Sequence, residues 1–138
     1  IKERARSSIA EKSDLRLIAS DIDAKAVQSA ENNYKRLKVN IPIEFEQRDC
    51  FEFNRHNEYG DYGLIISNLP YGKRVGVSDE LPGLYKKLGN HYRRYCKNWD
   101  FCFVCEDFRF PQITQFKVSK KIKFVNGGIP VTFFYGRF

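Results

Sequence analysis

Three polar residues of the kind that bind ligands stand at the ends of predicted strands: Asp21, Asp49 and Asn68. The carboxyl ends of parallel strands face one edge of a sheet, so we expect these side chains to converge there. An acidic residue at such a strand end commonly accepts hydrogen bonds from ribose hydroxyls, and Asp21 suits that role. Asp23 is predicted to cap the following helix. The plainer alternative is that both Asp21 and Asp23 are caps.

The segment Asn68-Leu-Pro-Tyr-Gly72 carries the most chemical information. The amide oxygen of Asn68 and a neighbouring backbone carbonyl can both accept a hydrogen bond from an exocyclic base amine. Pro70 has no N–H and holds the turn open. Tyr71 is then presented at the rim, where stacking on a planar base is worth roughly 1–3 kcal/mol. The alternative is an ordinary proline turn after a strand.

The hydrophobic pattern predicts the elements that must position these residues. Strands are predicted at 15–19, 43–47, 63–67 and 101–105, helices at 1–12, 23–38 and 79–96, and a hairpin of 117–125 and 129–138 around Asn126-Gly-Gly128. Strands that alternate with helices predict an α/β fold, with a mostly parallel sheet, helices on both faces and one antiparallel strand from the terminal hairpin.

Length and charge narrow the class of protein. The 138 residues suit one domain with one core, and the formal charge is +7. Residues 1–72 hold 11 basic and 12 acidic side chains, a net of −1, and residues 73–138 hold 13 and 5, a net of +8. This asymmetry is typical of a nucleic-acid partner, although a solvated basic surface is the alternative. No apolar run reaches the roughly 20 residues that span a membrane.

The cysteines and histidines predict no metal site. Cys102 and Cys105 lie three apart on a predicted strand, so their thiols diverge, and no second such pair completes a zinc site. We expect all four cysteines to be buried, reduced and structural, as in a cytoplasmic protein. His56 and His91 are assigned to structure or surface, and Trp99 to the core.

The sequence resembles the class I S-adenosylmethionine-dependent methyltransferases that modify exocyclic amines. Within them it is most similar to the RNA guanine-N2 methyltransferases that also carry a THUMP RNA-binding domain, whose relatives are often labelled adenine-specific DNA methylases. The resemblance rests on Ser20-Asp-Ile-Asp-Ala-Lys-Ala-Val27 with Ala30-Glu-Asn-Asn33, on Gln47-Arg-Asp-Cys50, on Asn68-Leu-Pro-Tyr-Gly-Lys-Arg74, on Leu84-Tyr-Lys-Lys-Leu-Gly89, and on the final hairpin.

The resemblance implies a role for each matching residue. On the cofactor side, Asp21 with the adjacent Ile22 would bind the ribose of S-adenosylmethionine, Asp49 would accept from the adenine amine, and the Cys50 N–H would face the adenine ring, with Phe51 packed nearby. On the catalytic side, Asn68 would orient the target amine with the Leu69 carbonyl, Pro70 would shape the turn, Tyr71 would stack on the flipped-out base, and Lys73 and Arg74 would meet RNA.

Two departures from the family pattern carry expectations of their own. Leu69 stands where the pattern usually has proline, a variant of the THUMP-linked RNA enzymes, which favours RNA over DNA. The Gly-rich loop that follows the family's first strand has no counterpart, since no glycine precedes Gly60 and the chain opens on Ile1 without Met. We therefore expect a partial catalytic domain that lacks its first strand, is inactive alone, and belongs to a longer protein with a THUMP domain.

Two other functions remain open at this stage. The Asn-x-Pro-Tyr turn does not distinguish its base, so DNA adenine-N6 methylation is the second enzyme hypothesis. The missing Gly-rich loop motivates a third, a noncatalytic RNA-binding module. The leading hypothesis is methylation of guanine N2 in RNA, with ribosomal RNA favoured over tRNA and with no metal.

Overall fold

The computed structural model describes residues 15–37, 41–54, 59–70 and 80–138. The chain divides into two compact units, Ile1–Glu52 and Phe53–Phe138, and each is described by itself. The organisation of the chain as one domain stays a prediction. No helix within the described ranges is both long enough and apolar enough to cross a membrane.

The first unit is a parallel strand pair with one helix. Strand β1 (Leu17–Asp21) and strand β2 (Ile43–Gln47) pair from end to end, and helix α1 (Ala24–Arg36) connects them. The Asp23 side chain accepts a hydrogen bond from the Lys25 N–H at 2.9 Å, so it caps α1 as expected. The strands therefore end side by side, with α1 starting directly after β1.

The second unit is a four-stranded sheet in the order β3-β4-β6-β5. Its strands are β3 (Leu64–Asn68), β4 (Asp100–Cys105), β5 (Lys117–Asn126) and β6 (Ile129–Arg137). The pairing of β3 with β4 is parallel, and β6 is antiparallel to both of its neighbours. Among the described strands of this sheet only β6 runs against the others, which confirms the predicted antiparallel strand.

The turn between β5 and β6 explains why the hairpin can be read from sequence. Gly127 and Gly128 have φ values of +59° and +84°, in the left-handed region that glycine adopts without a steric penalty. Two such residues form the mirror-image turn whose twist matches that of paired strands. Asn126 then pairs with Ile129 across the turn, and the hairpin prediction is confirmed.

Aromatic packing on one face of the second sheet forms its core. Helix α2 (Leu81–Tyr95) and the short helix α3 (Phe110–Thr114) supply the covering residues. Tyr92 stacks on Phe103 with ring centroids 6.1 Å apart, and Phe110 meets Phe103 edge-on at 5.8 Å. The largest fully buried side chains include Tyr85, Phe101, Phe103, Phe110 and Phe134.

The element predictions hold with two differences beyond shifts of one or two residues at the ends. Strand β1 lies two residues later than expected, because its pairing with β2 runs to Asp21 opposite Gln47 while Leu15 is exposed. Helix α3 was not predicted, since five residues are too few for a helical period. The predicted helix at 1–12 lies outside the described residues, and helices on both faces of the sheet remain a prediction.

Gly89 tests how closely α2 packs on α3. A Cβ atom at this position would lie 2.5 Å from the Thr114 carbonyl oxygen and 2.7 Å from its Cα, and these backbone atoms cannot swing away. Gly89→Ala should therefore lower the free energy of unfolding by roughly 1–3 kcal/mol. Urea denaturation followed by circular dichroism measures this loss.

Gly83→Ala is the matched control in the same helix. A Cβ atom there would have nothing within 4 Å, so the substitution adds only helix propensity. Stability should stay equal or rise slightly. Equal losses from both variants would contradict the close approach at Gly89.

Candidate active site

In the first unit, the predicted cofactor residues lie at the carboxyl ends of neighbouring parallel strands. Asp21 is the last residue of β1 and pairs with Gln47, the last residue of β2. The Arg48 N–H donates to the Asp21 carbonyl at 2.9 Å, and the Gln47 side-chain amide donates to the Ile22 carbonyl at 3.2 Å. Asp49 follows at once, so both aspartates stand at one edge of this strand pair.

The two carboxylates have the same local arrangement. Asp21 Oδ1 accepts from the Asp23 N–H, and Asp49 Oδ1 accepts from the Phe51 N–H, each at 2.9 Å. Each aspartate therefore closes a turn with one oxygen. The second oxygen of each carboxylate accepts no hydrogen bond from any described residue. Of the two suggested caps, Asp23 caps α1 and Asp21 instead orients the chain that leads into it.

The loop after β2 forms a single 3₁₀ turn over Cys50–Glu52. The Glu52 N–H donates to the Asp49 carbonyl at 2.9 Å and fixes the start of this turn. Cys50 is exposed, Phe51 is half-buried, and Ile22 at the end of β1 is exposed over 67% of its surface. The turn therefore places the Cys50 backbone and the Phe51 ring beside the two aspartates.

In the second unit, Asn68 is the last residue of β3 and is exposed. Leu69 is 5% exposed, and its N–H donates to the Val104 carbonyl at 3.0 Å, so the segment leaves the sheet along β4. The Pro70 carbonyl accepts a hydrogen bond from the Tyr85 hydroxyl at 2.9 Å. No described residue donates to the Asn68 side chain or to the Leu69 carbonyl.

The structure therefore resolves the predicted site into two groups. Asp21, Ile22, Asp49 and Cys50 come together in the first unit, while Asn68, Leu69 and Pro70 belong to the second. The convergence of the two groups stays a prediction. The predicted base-stacking Tyr71 and the predicted RNA contacts Lys73 and Arg74 lie outside the described residues.

Sequence reasoning missed Tyr85. It lies 15 residues from Pro70, and neither periodicity nor residue type indicates a contact between them. The available signal was the Leu84-Tyr-Lys-Lys-Leu-Gly89 segment, in which three residues have a structural role here. Tyr85 bonds the turn, Leu88 is buried, and Gly89 lies against the Thr114 backbone.

The remaining polar candidates have structural roles. The His91 Nε2 lies 2.8 Å from the Phe53 carbonyl oxygen, and Trp99 is 7% exposed, which confirms both assignments. His56 lies outside the described residues. No group of three or more candidate metal ligands occurs within the ranges that the structure covers.

The four cysteines are free thiols, and the predicted divergence of Cys102 and Cys105 is confirmed. On β4, Cys105 is buried and Cys102 is half-buried, and Cys96, directly after α2, is buried as well. The expectation that all four are buried was wrong for Cys50, because the turn after β2 lies at the exposed strand end, and Cys102 meets it only in part. Burial, with the nearby Asp107 carboxylate, raises the pKa of the Cys105 thiol to about 12.

Comparison with known families settles what kind of domain this is. Residues 1–134 match the UPF0020 family, described as an RMKL-like methyltransferase domain. The chain belongs to this family. It is therefore a methyltransferase domain, and the predicted family of S-adenosylmethionine-dependent enzymes is confirmed at this level.

Individual relatives agree with the assignment. The ribosomal RNA large subunit methyltransferase K/L of Shewanella baltica (strain OS185) is 30% identical over 131 residues. That alignment covers 94% of this chain and 18% of the relative, so the chain spans less than a fifth of it.

Solved structures share the fold. A possible methylase from Clostridium difficile 630 superposes with a TM-score of 0.80 at 30% identity, covering 99% of this chain and 35% of that one. SMU.472, a candidate methyltransferase crystallised with SAH, gives a TM-score of 0.81 at 24% identity, also over 99% of this chain and 35% of that one. The class I methyltransferase fold predicted from sequence is confirmed.

The thiols provide a chemical test of the site's exposure. At pH 8, Cys105 should hold about a thousandth of the thiolate of an ordinary thiol, since its pKa is raised to about 12. Its thiolate fraction should rise about tenfold with each pH unit and level off only as the pH reaches that value. Cys50 is exposed and should react first with a thiol reagent such as dithionitrobenzoate.

Labelling followed by peptide mass spectrometry identifies the reacting residue, and Cys50→Ser is the control that should remove the fast phase. Rapid modification of Cys105 in the folded protein, or a fast phase that survives in Cys50→Ser, would contradict this account.

Proposed function

We propose that the protein transfers a methyl group from S-adenosylmethionine to the exocyclic N2 amine of a guanine in RNA, with ribosomal RNA as the substrate. The observation that carries the proposal is the exposed Asn68 side chain at the end of β3, in a chain of the RMKL-like methyltransferase family. An amide oxygen with no other described partner suits an N–H donor in this position.

The first unit suits the nucleoside part of the cofactor. Asp21 has one carboxylate oxygen fixed by the Asp23 N–H, which leaves the other directed by a rigid turn and suited to ribose hydroxyls. Asp49 is oriented in the same way by the Phe51 N–H and suits the adenine amine. Ile22 and Cys50 provide exposed apolar and backbone surface between them.

The Asn68–Pro70 segment suits a target amine. When bound, S-adenosylmethionine supplies a methyl on a sulfonium centre; the N–C bond forms as the C–S bond breaks, sulfur keeps the electron pair, and one amine proton leaves to solvent. Asn68 Oδ1 and the Leu69 carbonyl are two acceptors for the two amine N–H bonds. Accepting both orients the nitrogen lone pair, so the protein contributes positioning and charge stabilisation.

Charge supports RNA as the partner. The second half of the chain carries +8, beginning with Lys73 and Arg74 directly after the proposed base-binding turn. On the exposed strand β5, Lys117, Lys120 and Lys123 form no ion pair with any described residue, and the Lys121 ammonium lies 5.9 Å from the Phe134 ring centroid. Phosphate groups are the natural counterions of such a strand.

We further propose a cytoplasmic location and a longer protein with an RNA-binding THUMP domain. The location is supported by four free thiols, which are typical of a reducing compartment. The relative from Shewanella baltica, of which this chain spans 18%, leaves ample length for such a domain.

Asn68→Ala tests the catalytic role. The variant removes the amide acceptor from an exposed side chain, so folding should be unaffected. Methyl transfer to undermethylated ribosomal RNA should fall about 100-fold, which is typical when one polar group that stabilises a transition state is removed. Transfer of a radioactive methyl group by the full-length protein gives the rate. Asn90→Ala, an exposed asparagine on α2, should leave it unchanged.

The same assay separates the competing functions. An unchanged rate in Asn68→Ala would refute the catalytic assignment. Duplex DNA offered in competition with RNA decides between the two substrates, because a DNA adenine methyltransferase would label the duplex. Isothermal titration with S-adenosylmethionine tests the noncatalytic module, which would bind RNA but release no heat with the cofactor.

The β5 lysines should contribute to RNA affinity. Lys121 and Lys123 point to the same face of the sheet, opposite Phe134 and Thr132, so they can meet adjacent phosphates. The variant Lys121→Ala with Lys123→Ala should bind RNA more weakly. The slope of the logarithm of the RNA association constant against the logarithm of the salt concentration should become shallower by about 1 to 2. Filter binding at several salt concentrations measures both quantities.

Lys25→Ala with Lys35→Ala removes the same formal charge from α1, where Lys35 pairs with Glu31 at 2.9 Å, and serves as the charge control. It should change the salt slope little. An equal effect from both pairs would mean that net charge alone matters, and would argue against β5 as an RNA-binding surface.

A further inference from the structure

The Asn68–Pro70 segment is held at two backbone points by different elements. The Leu69 N–H donates to the Val104 carbonyl of β4 at 3.0 Å. The Pro70 carbonyl accepts a hydrogen bond from the hydroxyl of Tyr85, on helix α2, at 2.9 Å. The Leu69 side chain is buried between these points. The exposed Asn68 side chain thus extends from a backbone that is tied to two neighbours.

Tyr85 is well suited to act as a hydrogen-bond donor. It is 1% exposed, and its ring packs edge-on against Phe110 with centroids 5.2 Å apart. Burial, together with the neighbouring Cys105 and the acidic Asp107, raises the pKa of Tyr85 far above its usual range. The hydroxyl therefore keeps its proton and can donate it, and the buried ring fixes the position of its oxygen beside the Pro70 carbonyl and the Cys105 thiol, a second hydrogen-bonding neighbour.

The segment that follows β3 needs the Tyr85 donor, because its own backbone offers too few hydrogen bonds to hold one conformation. Pro70 has no N–H, so it cannot form the hydrogen bond that usually continues a ladder or closes a turn. With only the Leu69 N–H anchored, the Leu69 carbonyl and the Pro70 peptide could rotate about the bonds between them. A hydrogen bond to the Pro70 carbonyl stops that rotation, because it fixes the chain just after the two proposed acceptors, the Asn68 amide and the Leu69 carbonyl.

We propose that Tyr85 is a positioning residue, whose hydroxyl holds the Pro70 carbonyl so that the Asn68 amide and the Leu69 carbonyl keep the orientation needed to receive the target amine. This inference deepens the proposed function and rests on it for its catalytic consequence, although the anchoring itself does not.

Tyr85→Phe in the full-length protein is the test, because it removes the hydroxyl and keeps the ring. Tyr92→Phe is the matched control: Tyr92 lies two helical turns further along α2, is 5% exposed, and stacks on Phe103. Amide hydrogen exchange at Leu69 should become about fivefold or more faster in Tyr85→Phe, while exchange at Phe103 stays unchanged. Neither amide should change in Tyr92→Phe.

The catalytic readout is the division between kcat and KM. In Tyr85→Phe, kcat should fall about fivefold or more, with the KM for RNA and the Kd for S-adenosylmethionine within about twofold of the unmodified protein. Tyr92→Phe should keep all three values, and thermal unfolding of both variants ensures that rates are compared well below the melting temperature.

Unchanged exchange at Leu69 in Tyr85→Phe would overturn the proposal, and so would an equal loss of kcat in both variants. If the unmodified protein transferred no methyl group to RNA, the proposed function would fail, yet hydrogen exchange would still decide whether Tyr85 holds the segment.

Discussion

The second unit depends on the burial of the phenylalanines of β4. Phe101 and Phe103 point to the same face and are completely buried, with ring centroids 5.2 Å apart. The rings around them come from α2, from α3 and from Phe138, directly after β6. Burying rings of this size is the main source of stability in a small core. Because α2 must lie on these rings, its position over β4 is fixed, and with it the location of every side chain that α2 carries.

Close packing imposes a second requirement, which small residues meet. A Cβ atom at Gly63 would lie 2.5 Å from the Trp99 ring, and one at Gly136 would lie 2.1 Å from the Lys117 carbonyl oxygen. Gly63 directly precedes β3 and lies against Trp99, and Gly136 lies near the end of β6 against β5. The aromatic core is therefore dense up to the margin of the sheet at which β3 and β4 begin, the end opposite Asn68.

The sequence predicted the elements well and the site in part. The strands and the Asn126-Gly-Gly128 hairpin follow from local patterns, and Asp23 as a cap follows from residue type. The orientation of Asp21 and Asp49 by backbone N–H groups two residues ahead was not foreseen, although the residues themselves were. Tyr85 could not be predicted as a partner of Pro70, because that contact depends on how α2 lies on the sheet.

The basic strand β5 has one more consequence. As an edge strand with nine of its ten residues exposed, it carries backbone N–H and C=O groups on its outer side that could pair with a strand of another molecule. Lysines at four positions and the irregular pairing between Val118 and Lys120 oppose such growth, because like charges repel and a bulge spoils the register. The charge that suits a polyanion thus also keeps copies of the protein from joining into extended sheets.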